Sequence, residues 1–329
     1  MEDIKPKYSV IIPLYNKALY ICKALESVTG QTFTNIELII VDDGSTDDSA
    51  NICEEYLSSL THSFAYSFIR QSNSGVAAAR NRGVTESHGV YLCFLDADDW
   101  WEPTFLDEID KLITEYPDAG IYATNYIYYK PGKTHVALDL PRGYMNYPEA
   151  YLHSKQMPVT SITTCMHRKV YDEMGGFPVE IKLGEDFLLW AKTALHYPIA
   201  FCEKPLAYYN NDVPASLRAT RNLHAPEHHM LFHLDSLVSE INRLQSTSTK
   251  SAWLMLFDKL RVYGLLDYWI DDRYHDVAVA ELEKVDWTRQ PKSLARQYNT
   301  PIWRLKANRR FMQIGSYYKQ KLIHILHFS

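Results

Sequence analysis

Short apolar runs rich in Ile and Val recur along residues 8–130. Each is followed by a polar turn and then by a segment of helical period. The runs are YSVIIPL (8–14), ELIIV (37–41), residues 65–69, VYLCFL (90–95) and residues 119–126. Between them Leu19, Cys22, Leu25 and Val28 repeat at helical spacing, as do Ala50, Cys53, Leu57 and Leu60. The Ala-rich stretch 75–86 is helical too, and Phe105, Ile109, Leu112 and Ile113 mark a further helix entered through Pro103. Such a β-α-β order predicts an α/β fold with a mostly parallel central sheet flanked by helices. Ligands then bind outside the carboxyl ends of the strands.

Polar residues with chemical potential stand at those strand ends: Tyr15 and Asn16 after the first strand, Asp42 and Asp43 after the second, and Asp96, Asp98 and Asp99 after VYLCFL. In VDDGSTDDS, Asp47 reads as a helix cap, whereas Asp43 is placed to accept hydrogen bonds from a nucleobase. In LDADDW, Asp96 and Asp98 are two residues apart in an extended segment and point to one side. Carboxylates that close repel, and a divalent cation between them and a diphosphate relieves the repulsion. Neither GxGxxG nor GxxxxGK[ST] occurs, so a glycine-rich phosphate loop is not indicated. NSGVAAARNRG offers Asn73, Gly75, Arg80 and Asn81 at a helix start near the same strand ends, although a capped amphipathic helix explains all but Arg80. In GEDFLLW, Asp186 suits either a first-turn acid that complements the helix dipole or a general base.

Taken together and in order, SVIIPLYN, ELIIVDDGSTD, NSGVAAARNRG, FLDADDW, YDEMGGF and GEDFLLW resemble the family 2 glycosyltransferases of bacterial polysaccharide assembly, which have the GT-A fold. The resemblance covers residues 8 to about 217. It implies an inverting enzyme that moves a sugar from a nucleoside diphosphate sugar, usually UDP-linked, to a hydroxyl of a glycan or lipid-linked acceptor, with Mg²⁺ or Mn²⁺ bound. By position, Pro13, Tyr15 and Asp43 would hold the base, and Arg80 and Asp96 would contact nucleotide or ribose. Asp98 would ligate the metal, Asp99 would touch the donor sugar and Asp186 would be the base. Many relatives carry a His after the last strand. Here the segment reads LAYYNNDVPASLRA, with Asp212 in that place, read either as a third oxygen ligand or as a turn residue before Pro214. A non-catalytic sugar-nucleotide or glycan binder on the same fold is the competing reading, and the presence of Asp98 and Asp186 argues against it.

The expected organisation is a glycosyltransferase domain over 1–217, with a nucleotide-binding half (1–130) and an acceptor half (131–217), then a helical extension over 218–329. Seven Tyr between 122 and 151 suit either sugar rings or core packing. The formal charge of -6 is unevenly spread: residues 287–329 hold nine Lys or Arg and no acid, leaving -6 - 9 = -15 on the rest. Phe311, Ile314, Tyr318, Leu322 and Ile325 recur at helical spacing among those basic residues. A basic amphipathic helix of that kind fits an anionic membrane surface, or docking on the acidic body or on a second subunit in a homo-oligomer. No nucleic-acid-binding motif accompanies the charge, so nucleic acid is not an expected partner. Five scattered Cys without a CxxC pair, no signal-peptide pattern and no long apolar run predict a cytoplasmic protein, peripheral on the membrane if the tail binds there.

Overall fold

The computed structural model describes residues 5–60, 65–154, 156–214, 217, 223–290, 298–301 and 305. The chain divides into two compact units, Met1–Trp253 and Leu254–Ser329. The first unit therefore runs past residue 217 and takes in the segment that follows the last strand. Most of the expected basic helix, residues 306–329, lies outside the described residues.

The first unit is built on a ten-stranded mixed sheet. The strands are β1 (Tyr8–Leu14), β2 (Ile36–Asp42), β3 (Ala65–Arg70), β4 (Tyr91–Phe94), β5 (Trp100–Trp101), β6 (Ile121–Tyr129), β7 (His135–Val136), β8 (Gly143–Met145), β9 (Thr164–His167) and β10 (Ile199–Asn210). The order is β3-β2-β1-β4-β9-β6-β10-β5, with β7 on β6 and β8 on β10. Strands β3, β2, β1 and β4 are parallel, and β6 and β10 are parallel to each other. Between these groups β9 runs antiparallel to both β4 and β6, so all six point the same way. Every residue of β1 and of β2 is buried, as expected of apolar runs covered on both faces.

Helices α1 (Ile21–Thr29), α2 (Ser49–Ser59), α3 (Val76–Glu86), α4 (Phe105–Glu115), α5 (Tyr147–His153), α6 (Arg168–Met174) and α7 (Glu185–His196) complete the layers. The apolar positions read from the sequence form the buried faces: Ile21, Ala24, Leu25 and Val28 in α1, and Phe105, Leu106, Ile109 and Leu112 in α4. Gly83 lets α3 lie close on β1, since a Cβ there would stand 2.5 Å from Ile11 Cγ2. These packings fix the starts of the helices over the carboxyl ends of the strands. The last strand, β10, has register shifts on either side of Pro205, a residue that cannot donate to the ladder. It delivers Tyr208, Tyr209 and Asn210 to the same edge.

Helix α8 (Val238–Arg243) also belongs to the first unit. The second unit holds most of α9 (Thr247–Gly264), together with α10 (Leu266–Ile270) and α11 (His275–Glu283). Within it the Arg261 guanidinium meets Glu281 at 3.0 Å in a buried pair, and Tyr298 Oη donates to the Val262 carbonyl at 2.6 Å. No helix among the described residues is long and apolar enough to cross a membrane.

Candidate active site

The carboxyl ends of β1, β2, β4 and β10 and the start of α7 supply the candidate residues. After β1, Asn16 adopts the left-handed conformation at φ 51°. Its backbone N–H donates to Ser45 Oγ at 3.0 Å, and its Oδ1 accepts from Thr46 N at 2.8 Å. Lys17 is anchored next to it by its N–H, which donates to Ser49 Oγ at 2.8 Å. This turn carries the Lys17 ammonium to Asp98, where it donates to Oδ2 at 2.6 Å, and to the Leu217 carbonyl at 3.0 Å.

Asp43 is 3 % exposed, and its carboxylate organises the loop before α3. Oδ1 accepts from Gln71 Nε2 and Ser74 N, and Oδ2 from Gly75 N, each at 2.8 Å. With two acceptor directions per oxygen, Oδ2 keeps one for a further donor. Pro13 is buried in β1 opposite Val41, while Tyr15 is 44 % exposed at the strand's end.

Arg80, projecting from α3, joins the two acidic motifs. Its Nη2 donates to Asp96 Oδ1 at 2.7 Å and its Nη1 to Glu185 Oε1 at 2.8 Å, and the guanidinium carbon lies 5.1 Å from the centre of the Phe177 ring. Burial acts to lower the Arg80 pKa, but Asp96, Glu185 and Asp186 outweigh it and raise it, so the residue stays charged. Its Nε is buried without a hydrogen-bond partner, a cost the two charged pairs must offset.

Burial raises the pKa of the remaining acids. It raises Asp98, Lys17 opposes it, and the like charge of Asp96 adds to it. Asp99, 3 % exposed, has its pKa raised well above the ordinary Asp value by burial and by Asp98 and Asp96, while one of its oxygens accepts from Asn210 N at 2.7 Å. That bond ties the end of β10 to the loop between β4 and β5. Asp186 is pushed up to about 7 by burial first and by Glu185 second, although Arg80 draws it down. Gly184, at φ 84° just before α7, packs so closely on Met230 that a Cβ would meet it at 2.5 Å. The segment after β10 also holds this turn through Lys182 N to the His228 carbonyl at 2.8 Å and Met230 N to the Leu183 carbonyl at 3.0 Å.

Asp212 is exposed, and its N–H donates to Asn210 Oδ1 at 3.0 Å. Among the described residues no three His, Cys, Asp or Glu side chains assemble as a metal cage, so the set Asp96, Asp98 and Asp212 is not preformed. Asp96 and Asp98 still fit a hard divalent cation: both offer carboxylate oxygens, and Asp98 already holds a cationic group, the Lys17 ammonium. The clustered tyrosines divide. Tyr122, Tyr126 and Tyr147 are core residues at 2 % exposure. Tyr128 instead stacks on Tyr209 at 5.6 Å, and Tyr209 lies near enough to Asp99, Asp96 and Asp98 for burial and their charge to raise its pKa to above the usual range.

Lys17, Glu185 and Gln71 are the site residues that sequence reasoning missed. Glu185 was legible only as a dipole-complementing acid, because its partner Arg80 is 105 residues away. Lys17 carried no periodic or motif signal.

The family model "Glycosyl transferase family 2" matches residues 9–175, half of the chain. Glycosyltransferase GlyA of Streptococcus pneumoniae serotype 4 (strain ATCC BAA-334 / TIGR4) is 43% identical over 123 residues, 37% of this chain and 17% of GlyA. The minor teichoic acid biosynthesis protein GgaB of Bacillus subtilis (strain 168) is 36% identical over 129 residues, 39% of this chain and 14% of GgaB. The chain thus spans less than a fifth of the length of these two relatives. The crystal structure of S. aureus TarS 1-349 in complex with UDP-GlcNAc aligns with a TM-score of 0.70 at 20% identity, covering 88% of this chain and 83% of that one. The fold is therefore the GT-A type shared with TarS, and with half its length matched by the family model, the chain belongs to glycosyl transferase family 2.

Proposed function

We propose that the chain transfers a sugar, with inversion, from a UDP-linked donor to a hydroxyl of a glycan or lipid-linked acceptor in cell-surface polysaccharide synthesis. The observation that carries this reading is the pairing of two acidic motifs through one buried arginine. Arg80 holds Asp96 beside Asp98 on one side and Glu185 beside Asp186 on the other. Donor-side and acceptor-side carboxylates thus share a rigid frame, which is what an in-line displacement requires. The UDP-GlcNAc complex of the structural neighbour TarS supports the choice of nucleotide.

In this reading Tyr15, Pro13 and the loop ordered by Asp43 form the wall against which the base lies. Asp98, with Asp96 beside it, would hold Mg²⁺ or Mn²⁺, and Asp212 stays outside that pair. When bound, the metal supplies charge neutralisation for a departing diphosphate. Asp99 offers the oxygen not bound by Asn210 N–H to a donor-sugar hydroxyl. Asp186, raised by burial, accepts the proton of the acceptor hydroxyl. Tyr209 and Tyr128 form an aromatic face beside these acids on which an acceptor sugar can stack.

The configuration of the product tests this. With an α-linked UDP-sugar, NMR of the isolated product is expected to show a β-linkage. An α-linked product would refute the inverting mechanism.

A further inference from the structure

We propose that Lys17 is the resident counter-cation of Asp98 and makes divalent-metal loading depend on the donor's diphosphate. The inference rests on the assignment of Asp98 as the metal-holding carboxylate. Lys17 is not a surface lysine that happens to point inward. Its backbone N–H is fixed on Ser49 Oγ, the preceding Asn16 is locked in a left-handed turn by Ser45 and Thr46, and its side chain is only 15% exposed. The ammonium bridges Asp98 Oδ2 and the Leu217 carbonyl.

An ammonium has no lone pair to offer a metal and repels it, so a divalent cation binds Asp98 most favourably by exchanging with Lys17. Alone, that exchange strands a charged ammonium in a half-buried site, which is unfavourable. A diphosphate arriving with the metal changes the balance, because its oxygens accept charge-assisted hydrogen bonds from the released ammonium. Metal and diphosphate then bind with positive coupling, and by linkage each tightens the other by the same factor. Lys17 acts here through Asp98 and the diphosphate as a positioning residue.

The experiment is Mn²⁺ binding to the full chain, followed by the EPR signal of free Mn²⁺ with and without UDP, for wild type, Lys17→Gln, Lys17→Arg and Asp98→Asn. Lys17→Gln is expected to bind Mn²⁺ about tenfold more tightly than wild type without UDP, since one close repulsive charge is gone. The gain in Mn²⁺ affinity from UDP should shrink by a similar factor. Lys17→Arg keeps the charge and should retain weak binding without UDP, which a purely structural role for the lysine would not explain. If Lys17→Gln binds Mn²⁺ no more tightly than wild type while Asp98→Asn abolishes binding, the Lys17 proposal is wrong and the metal assignment stands. If Asp98→Asn leaves Mn²⁺ binding unchanged, both fail.

Discussion

Replacing Asp186 by Asn is expected to lower kcat by roughly 10²–10⁴-fold with little change in donor KM, the range for loss of a positioned general base. The substitution preserves shape and the acceptor oxygen that takes the Phe187 N–H at 2.7 Å. It removes the ionisable proton site. For wild type, kcat/KM is expected to rise with pH up to about 7, where the base becomes ionised, and then to level off. The variant should lack that rising limb. Stability moves the other way. Because the folded-state pKa of Asp186 lies above the ordinary Asp value, the folded state favours the neutral form. That contribution is complete below the unfolded-state pKa and is lost as pH rises through about 7. The Asn variant mimics the neutral form, so it should unfold at a higher temperature than wild type above neutrality. An inactive variant that is also less stable there would point to a structural role instead.

Arg80→Met should destabilise the first unit by about 3–5 kcal/mol, the cost of stripping one partner from a buried ion pair. Met keeps much of the packing on Phe177 but leaves Asp96 and Glu185 without their cation. Thermal denaturation should show a Tm lower by roughly ten degrees for a unit of this size. The neighbouring Asp186 would also lose a charge that draws its pKa down. Its pKa, and with it the rising limb of the pH profile, should therefore move upward in whatever folded variant is recovered. A variant as stable as wild type would mean that the Arg80 pairs contribute nothing net and that the frame joining the two acidic motifs is not rigid.

Sequence order exposed the first half of the fold because β1 to β4 alternate with helices of clear period and β1 and β2 are buried on both faces. Residues 131–217 were harder for a physical reason. The four residues of β9 read as neither alternation nor a long apolar run, and β10 is interrupted by Glu203, Lys204 and Pro205. Both are stabilised by neighbours distant in sequence rather than by their own pattern. Much the same division holds for the site. Asp96, Asp98 and Asp186 stand in compact motifs at a strand end or a helix start, where their chemistry is visible in one dimension. The Lys17–Asp98 and Arg80–Glu185 pairs span 81 and 105 residues and exist only after folding. Asp43 was placed correctly at a strand end, yet the structure gives its carboxylate a loop-ordering task that local sequence did not reveal. Asp212 is exposed in the turn after β10, and among the described residues it forms no preassembled three-carboxylate set with Asp96 and Asp98.

Turnover of nucleoside diphosphate sugars by the full chain with Mn²⁺ is the most direct measurement, read as nucleotide release in the presence and absence of a glycan acceptor. Release from a UDP-sugar is expected, increased by acceptor and lost in both Asp98→Asn and Asp186→Asn proteins that remain folded. Saturable binding of UDP-sugars with no release from any donor, or release that persists in the Asp98→Asn protein, would contradict a metal-assisted transferase built on these two acidic motifs.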